Sequence, residues 1–249
     1  MPAVTIESSV GLGGVNKPND VITVKKRLIE LGFDWLTADD AVGPLFVQTI
    51  QLFQAIKNGF DIVAISKNDG VINVGQSTHL WLQAKNAPRW MRMPAGSKKE
   101  GFINDEVADT SDNHDFGTNW LAETLTATGA RYKDDFLSSN PTASLFRIND
   151  TSRPRGGNTP MHVGHESGLV CDIRLPRKDG GAGGIEVGSV AYHRVAMRAQ
   201  IKAFRKQPLA DRVLLNDSVL IGEGLCRPAT GHDNHAHFEI RPPVREMDS

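Results

Sequence analysis

The chain is poor in cysteine: Cys171 and Cys226 are its only two among 249 residues. That is too few for a disulfide scaffold. An apolar core has to hold the fold instead, and an apolar fraction of 39% is enough to build one. A surplus of charge is missing as well. The formal net charge is −1, so no global polycation argues for nucleic acid or for an acidic membrane. No apolar run approaches the ~20 residues needed to span a bilayer, which excludes membrane insertion by a helix. Met1 to Ser9 lacks a basic stretch followed by a long apolar one, so no cleavable signal peptide is expected. Internal repeats and low-complexity tracts are absent. The glycine-rich stretch from Lys178 to Gly188 lacks the preceding strand and the Gly-Lys-Ser/Thr ending of a phosphate-binding loop.

What remains has the length of one large domain or two ordinary ones. Residues 1–86 have a helical pattern. Asn19-Asp20 can cap a helix through Val21, Val24, Leu28 and Leu31, with Lys25, Lys26, Arg27 and Glu30 around it and Gly32 as its stop. Gly43-Pro44 opens a second helix with Phe46, Ile50, Phe53 and Ile56 at spacings of three and four. A third, short helix is predicted from Gly75 to Lys85. Residues 87–115 have the character of a linker or arm, because Pro88, Pro94, Gly96 and Gly101 interrupt any periodicity. Residues 116–249 form the second domain, with a helix from Asn119 to Lys133, a strand from Leu169 to Leu175, and a helix from Val190 to Gln207 whose inner face carries Val190, Met197, Ile201 and Phe204. Arg212–Asp217 and Val219–Ile221 are predicted as a strand pair, followed by a final strand through Ala236, Phe238 and Ile240.

The order of parts in the first segment resembles the peptidoglycan-binding domain 1 family of three-helix cell-wall modules. The matching residues are Asp20-Val21, Val24 to Leu28, Leu31-Gly32-Phe33, Ala41 to Pro44, Thr49, Phe53-Gln54, Asp69-Gly70-Val71, Thr78 and Trp81-Leu82. The resemblance implies a peptidoglycan partner. A small helical adaptor for some other partner is the alternative.

Five of the eight histidines fall in two short windows, His162 and His165 in one, His232, His235 and His237 in the other. Residues two apart on a strand share a face, so His235 and His237 project side by side. Asp172 sits in the middle of an apolar strand, where a charged residue needs a partner or a metal. Cys171, next to it, points to the opposite face; the two cysteines either pair or are buried free thiols. His165, Asp172 and His237 together make a two-imidazole, one-carboxylate set, a normal complement for a catalytic zinc with one position open. Zinc lowers the pKa of water to about 7 and polarises a carbonyl oxygen, as amide hydrolysis requires. His235 is then a wall group that takes a proton or holds an oxyanion; His162 and His232 are positioned to orient water, a substrate carboxylate or a leaving amine. Glu166, beside a ligand, is expected to face solvent. Arg153 and Arg155 either hold a substrate carboxylate or stand in a solvated loop. An iron oxygenase also uses two histidines and a carboxylate, but its usual His-x-Asp spacing is missing.

His162 to Ile173, Val213 to Asp217 and Gly231 to Phe238 resemble the penicillin-insensitive murein endopeptidases of the LAS metallopeptidase group. Both family spacings are kept: a His, then three on a second His, then seven on an Asp; and a final His-x-x-His-x-His. Arg155-Gly156-Gly157 before the first motif also fits. Position by position, the resemblance implies zinc on His165, Asp172 and His237, with His235, His232 and His162 as active-site partners, over residues 145–243. Gly164 stands where the family commonly has Ser, Cys171 precedes the Asp, and Ala236 lies where a Phe is frequent; none of these removes a ligand.

The expected fold class is therefore α+β: a small three-helix N-terminal module and a LAS-type zinc peptidase domain with a central antiparallel sheet. The expected function is a zinc-dependent peptidoglycan endopeptidase cleaving D-alanyl–diaminopimelate cross-links. It would be made in a bacterial cytoplasm and act on the wall as a phage endolysin or as an effector released by a secretion machine, with no immunity or export partner identifiable. The alternatives are a wall-directed carboxypeptidase of other specificity, or a non-catalytic peptidoglycan-binding structural protein such as a phage tail component.

Overall fold

A computed structural model describes residues 4–109, 113–159 and 164–247. A two-residue strand, β1 (Val10–Gly11), precedes helix α1 (Pro18–Glu30). Asn19-Asp20 is not its cap. Pro18 opens the helix, where its fixed φ suits the first turn and its missing N–H costs nothing. Asp20 is buried and accepts from the Glu7 N–H at 3.1 Å and from the N–H and hydroxyl of Ser8 at 2.8 and 2.6 Å. Val21, Val24 and Leu28 form the inner stripe as expected. Lys25 and Arg27 are also buried, because each has a fixed acceptor: Ala41 O at 2.6 Å for Lys25 Nζ, and Leu82 O at 2.8 Å for Arg27 Nε.

Helix α2 (Pro44–Asn58) starts on Pro44 and stops at Gly59, whose φ of 72° is the left-handed C-terminal stop. Strand β2 (Val71–Ile72) pairs antiparallel with β1, and helix α3 (Ser77–Leu82) completes the helical part.

Residues 87–115 are not a free tether. They hold β3 (Trp90–Arg92), β4 (Gly96–Ser97) and β5 (Phe102–Asn104). Strand β3 pairs with β6 (Phe116–Thr118), which leads through a Thr118 cap into helix α4 (Asn119–Tyr132) and a π-helical extension, Lys133–Leu137. Trp90 donates its N–H to Leu31 O at 2.8 Å and its ring stacks on Phe33; Trp81 meets Trp120 edge-on. The helical part and the rest thus share one continuous apolar core.

The remaining elements are β7 (Phe146–Ile148), β8 (Val170–Arg174), helix α5 (Arg194–Phe204), β9 (Ala210–Leu214), helix α6 (Ser218–Gly222) and β10 (His235–Ile240). The architecture is α+β, built on a six-stranded sheet of order β4-β5-β7-β8-β10-β9. The sheet is mixed rather than wholly antiparallel: β5 and β7 run parallel. The chain between them passes through α4, the crossover that parallel neighbours need. Two local readings also change. Val219–Ile221 is helix, not strand, because the Asp217 carboxylate accepts from the N–H groups of Val219 and Leu220 at 3.0 and 3.3 Å. Helix α5 begins only after His193, which caps it through Ala196 N–H, so Val190 lies outside the helix and is exposed.

Alternation along β10 sends Ala236, Phe238 and Ile240 to one face and His235, His237 and Glu239 to the other. Phe238 packs against Phe204 of α5 and Phe146 of β7, with ring centroids 4.5 and 5.8 Å away. Each such fully buried ring contributes about 1.5–3 kcal/mol. That apolar layer fixes which way the histidines point.

Candidate metal centre

Strands β8 and β10 are neighbours, and their register sets His237 directly opposite Asp172, with His235 opposite Arg174 and Glu239 opposite Val170. Cys171 opposes Phe238 on the apolar face. It is buried as a free thiol, as is Cys226, so the cysteines do not pair. His165 arrives from the turn Gly164–Gly168 that enters β8. The three side chains converge and are buried: His165 Nε2 lies 3.1 Å from His237 Nδ1 and 3.3 Å from Asp172 Oδ1, and His237 Nδ1 lies 2.8 Å from Asp172 Oδ1. Their ligand atoms all fall within 4.8 Å of one another, a group able to hold a metal ion.

The surroundings are compatible with a bound cation. His165 Nδ1 lies 2.9 Å from Thr151 O. A carbonyl only accepts, so Nδ1 carries the proton and Nε2 turns its lone pair inward. His237 Nε2 faces Glu239 Oε1 at 3.5 Å, and Glu239 is held in turn by Arg212 Nε at 2.6 Å. A carboxylate or carbonyl behind each imidazole is the usual backing of metal-binding histidines. The electrostatics agree. Burial works against charge on both imidazoles, yet the neighbouring carboxylates win. The Asp172 hydrogen bond and charge raise His165, while Asp172 and Glu239 push His237 up to about 9. Burial likewise opposes the charged form of Asp172, but His165 and His237 hold its carboxyl far below the usual range.

His235 and His232 flank this group. His235 Nε2 is 3.5 Å from Asp172 Oδ2, and its Nδ1 is 2.7 Å from Asn234 Oδ1. Burial depresses its pKa, against the pull of the Asp172 charge, and so disfavours the charged ring. The His232 ring lies 4.8 Å from His235 and 5.5 Å from His237, and its Nδ1–H is fixed on Thr230 O at 3.0 Å. Asn216 holds that loop by donating its N–H to His232 O and accepting from Ala229 N–H. A cleft of ≈ 530 Å³ opens beside them, walled by Asp150, Asp172, Arg174, Glu186 and His235. His162 lies outside the described residues.

Other expectations change. Glu166 is half-buried rather than fully turned to solvent: its Oε2 accepts from Val63 N–H at 2.7 Å, tying the ligand turn to the helical part. Arg153 and Arg155 are exposed; among the described residues Arg153 reaches Asn158 O at 3.3 Å. Three participants went unnoticed in the sequence. Glu239 follows His237 by two and shares its face, so strand alternation could have revealed it. Thr151 acts through its carbonyl, and Asp61, from the helical part, accepts the His165 N–H on Oδ2 at 2.9 Å; no local pattern marks either. A scan against protein-family models finds no match to this chain, and neither does a search of curated proteins.

Proposed function

We propose that the chain is a zinc-dependent peptidoglycan endopeptidase of the LAS type, with a three-helix wall-binding part. The observation that carries the reading is the convergence of His165, Asp172 and His237 in one buried group at the spacing of the murein endopeptidases. Zinc on these residues would supply Lewis acidity toward a peptide carbonyl and lower the pKa of water to about 7.

The chain's own residues do the rest. The Asn234 contact keeps the proton of His235 on Nδ1, so its Nε2 takes a proton from the attacking water and returns it to the leaving amine. His232, with Nδ1–H tied to Thr230 O, has an acceptor at Nε2, which orients the attacking water or the leaving amine. Asp150 and Glu186 on the cleft wall favour a substrate bearing ammonium groups. The diaminopimelate of the donor stem keeps such a group, whereas both amines of the acceptor diaminopimelate are acylated in the cross-link; the choice of the D-alanyl–diaminopimelate bond rests on the motif resemblance. The enzyme would act on the wall after cell lysis or specialised secretion.

The test is digestion of purified cross-linked peptidoglycan by the zinc-loaded protein, with His237→Ala alongside and fragments identified by mass spectrometry. Dimeric muropeptides should fall to monomers with the intact protein only. Dimers that survive while sacculi are bound would refute the endopeptidase and favour a binding protein. Loss of terminal D-alanine alone would favour a carboxypeptidase.

A further inference from the structure

His165 has a backbone φ of 60°, in the left-handed region. Of the three described residues with a side chain there, the other two are asparagines. Such a conformation persists only when its surroundings enforce it. The helical part supplies part of that enforcement. Asp61, just beyond the end of α2, accepts the His165 N–H on Oδ2 at 2.9 Å. Two residues on, Val63 donates its N–H to Glu166 Oε2 at 2.7 Å. The two contacts grip consecutive residues of the ligand turn from one short segment.

Gly164 completes the fit. Its φ is 98°, and a Cβ placed on it would stand 1.9 Å from Asp61 Oδ2. The glycine that replaces the family's usual serine is thus the residue that lets the carboxylate reach the next amide. Asp61 Oδ1 is buried with no hydrogen-bond donor among the described residues, so among them the carboxylate makes this one bond.

The geometry points to Asp61 as a positioning residue for the metal centre. The helical part is a structural component of the zinc site as well as a wall-binding element, because its Asp61 holds His165 in the left-handed turn that aims Nε2 at His237 and Asp172. This rests on the reading that those three residues hold zinc.

The test is zinc affinity of the full-length protein by chelator competition, together with the visible spectrum of the cobalt-loaded protein and thermal melting of the apoprotein. Asp61→Ala removes the acceptor; Asp61→Asn keeps an oxygen at the same reach. The alanine variant should bind zinc about tenfold more weakly or worse, as removal of a supporting hydrogen bond does, and shift the cobalt spectrum. The asparagine variant should stay within about threefold of wild type, since its amide oxygen accepts the same N–H. Asp61→Ser, too short to reach the amide, repeats the measurement if the alanine variant folds poorly. An alanine variant that melts earlier yet binds zinc like wild type overturns the inference, leaving a packing contact only. So does an asparagine variant as weak as alanine. Failure of the wild type to bind zinc would instead sink the proposed function, and this inference with it.

Discussion

Glu239→Gln probes the candidate metal centre from behind. The change keeps the shape of the side chain and removes its charge. In the native protein Glu239 Oε1 lies 3.5 Å from His237 Nε2 and Oε2 lies 2.6 Å from Arg212 Nε. The carboxylate holds the Nε2 proton, which leaves Nδ1 to face Asp172 and His165. A glutamine can present its amide nitrogen to His237 and so favour the wrong tautomer. Losing such a backing group typically costs 10–100-fold in metal affinity. The 3.5 Å separation is long for a hydrogen bond, so the lower end applies: about tenfold, or ~1.4 kcal/mol. Arg212→Gln, which breaks only a partly exposed ion pair, should cost less than ~1 kcal/mol. Chelator competition at constant pH measures both. Wild-type affinity in Glu239→Gln would show that the His237 tautomer is set without this carboxylate, and would refute the account of how the site is backed.

Phe238→Ala should destabilise by about 3–5 kcal/mol, because the ring is fully buried between Phe146 and Phe204; calorimetry should show a fall of roughly 6–20 °C in Tm. Asp217 is buried, and burial alone would raise its pKa, but Arg194 and the capped N–H groups of α6 outweigh it and hold it below the usual value. A lowered folded pKa gives stability that is present above the unfolded value of about 3.9 and is lost as pH falls through the folded one. Asp217→Asn should therefore be less stable than wild type at pH 7 in urea melts, and the gap should close as the pH is taken below 4; a gap independent of pH would refute it. Cys171 and Cys226 are free and buried, so a thiol reagent should label neither in the native protein and both after denaturation, without added reductant.

Much of the fold was readable because it is local and periodic. The stripes Val21–Val24–Leu28 and Phe46–Ile50–Phe53 announce α1 and α2, and Pro44 and Gly59 mark the ends of α2. The candidate metal group was readable because the seven-residue step from His165 to Asp172 and His-x-His are themselves short-range patterns, and strand alternation already separates His237 from Phe238 and Asp172 from Cys171. Where a local signal was overlooked, as with the Asp217 cap or Glu239, the chemistry was still within reach of the sequence. Other features depend on partners far along the chain. Strands β4 and β5 are two and three residues long and take their form from neighbours rather than from their own pattern. Whether β5 runs parallel to β7 is settled by the α4 crossover. The burial of Lys25 depends on a loop carbonyl at Ala41. Most of all, the hold of Asp61 on His165 joins residues 104 positions apart. The sequence by itself determined which atoms are available to bind a cation; only the packing of the helical part against the sheet decided how the turn that presents one of them is held, because the contact that fixes it is a tertiary hydrogen bond with no trace in either segment alone.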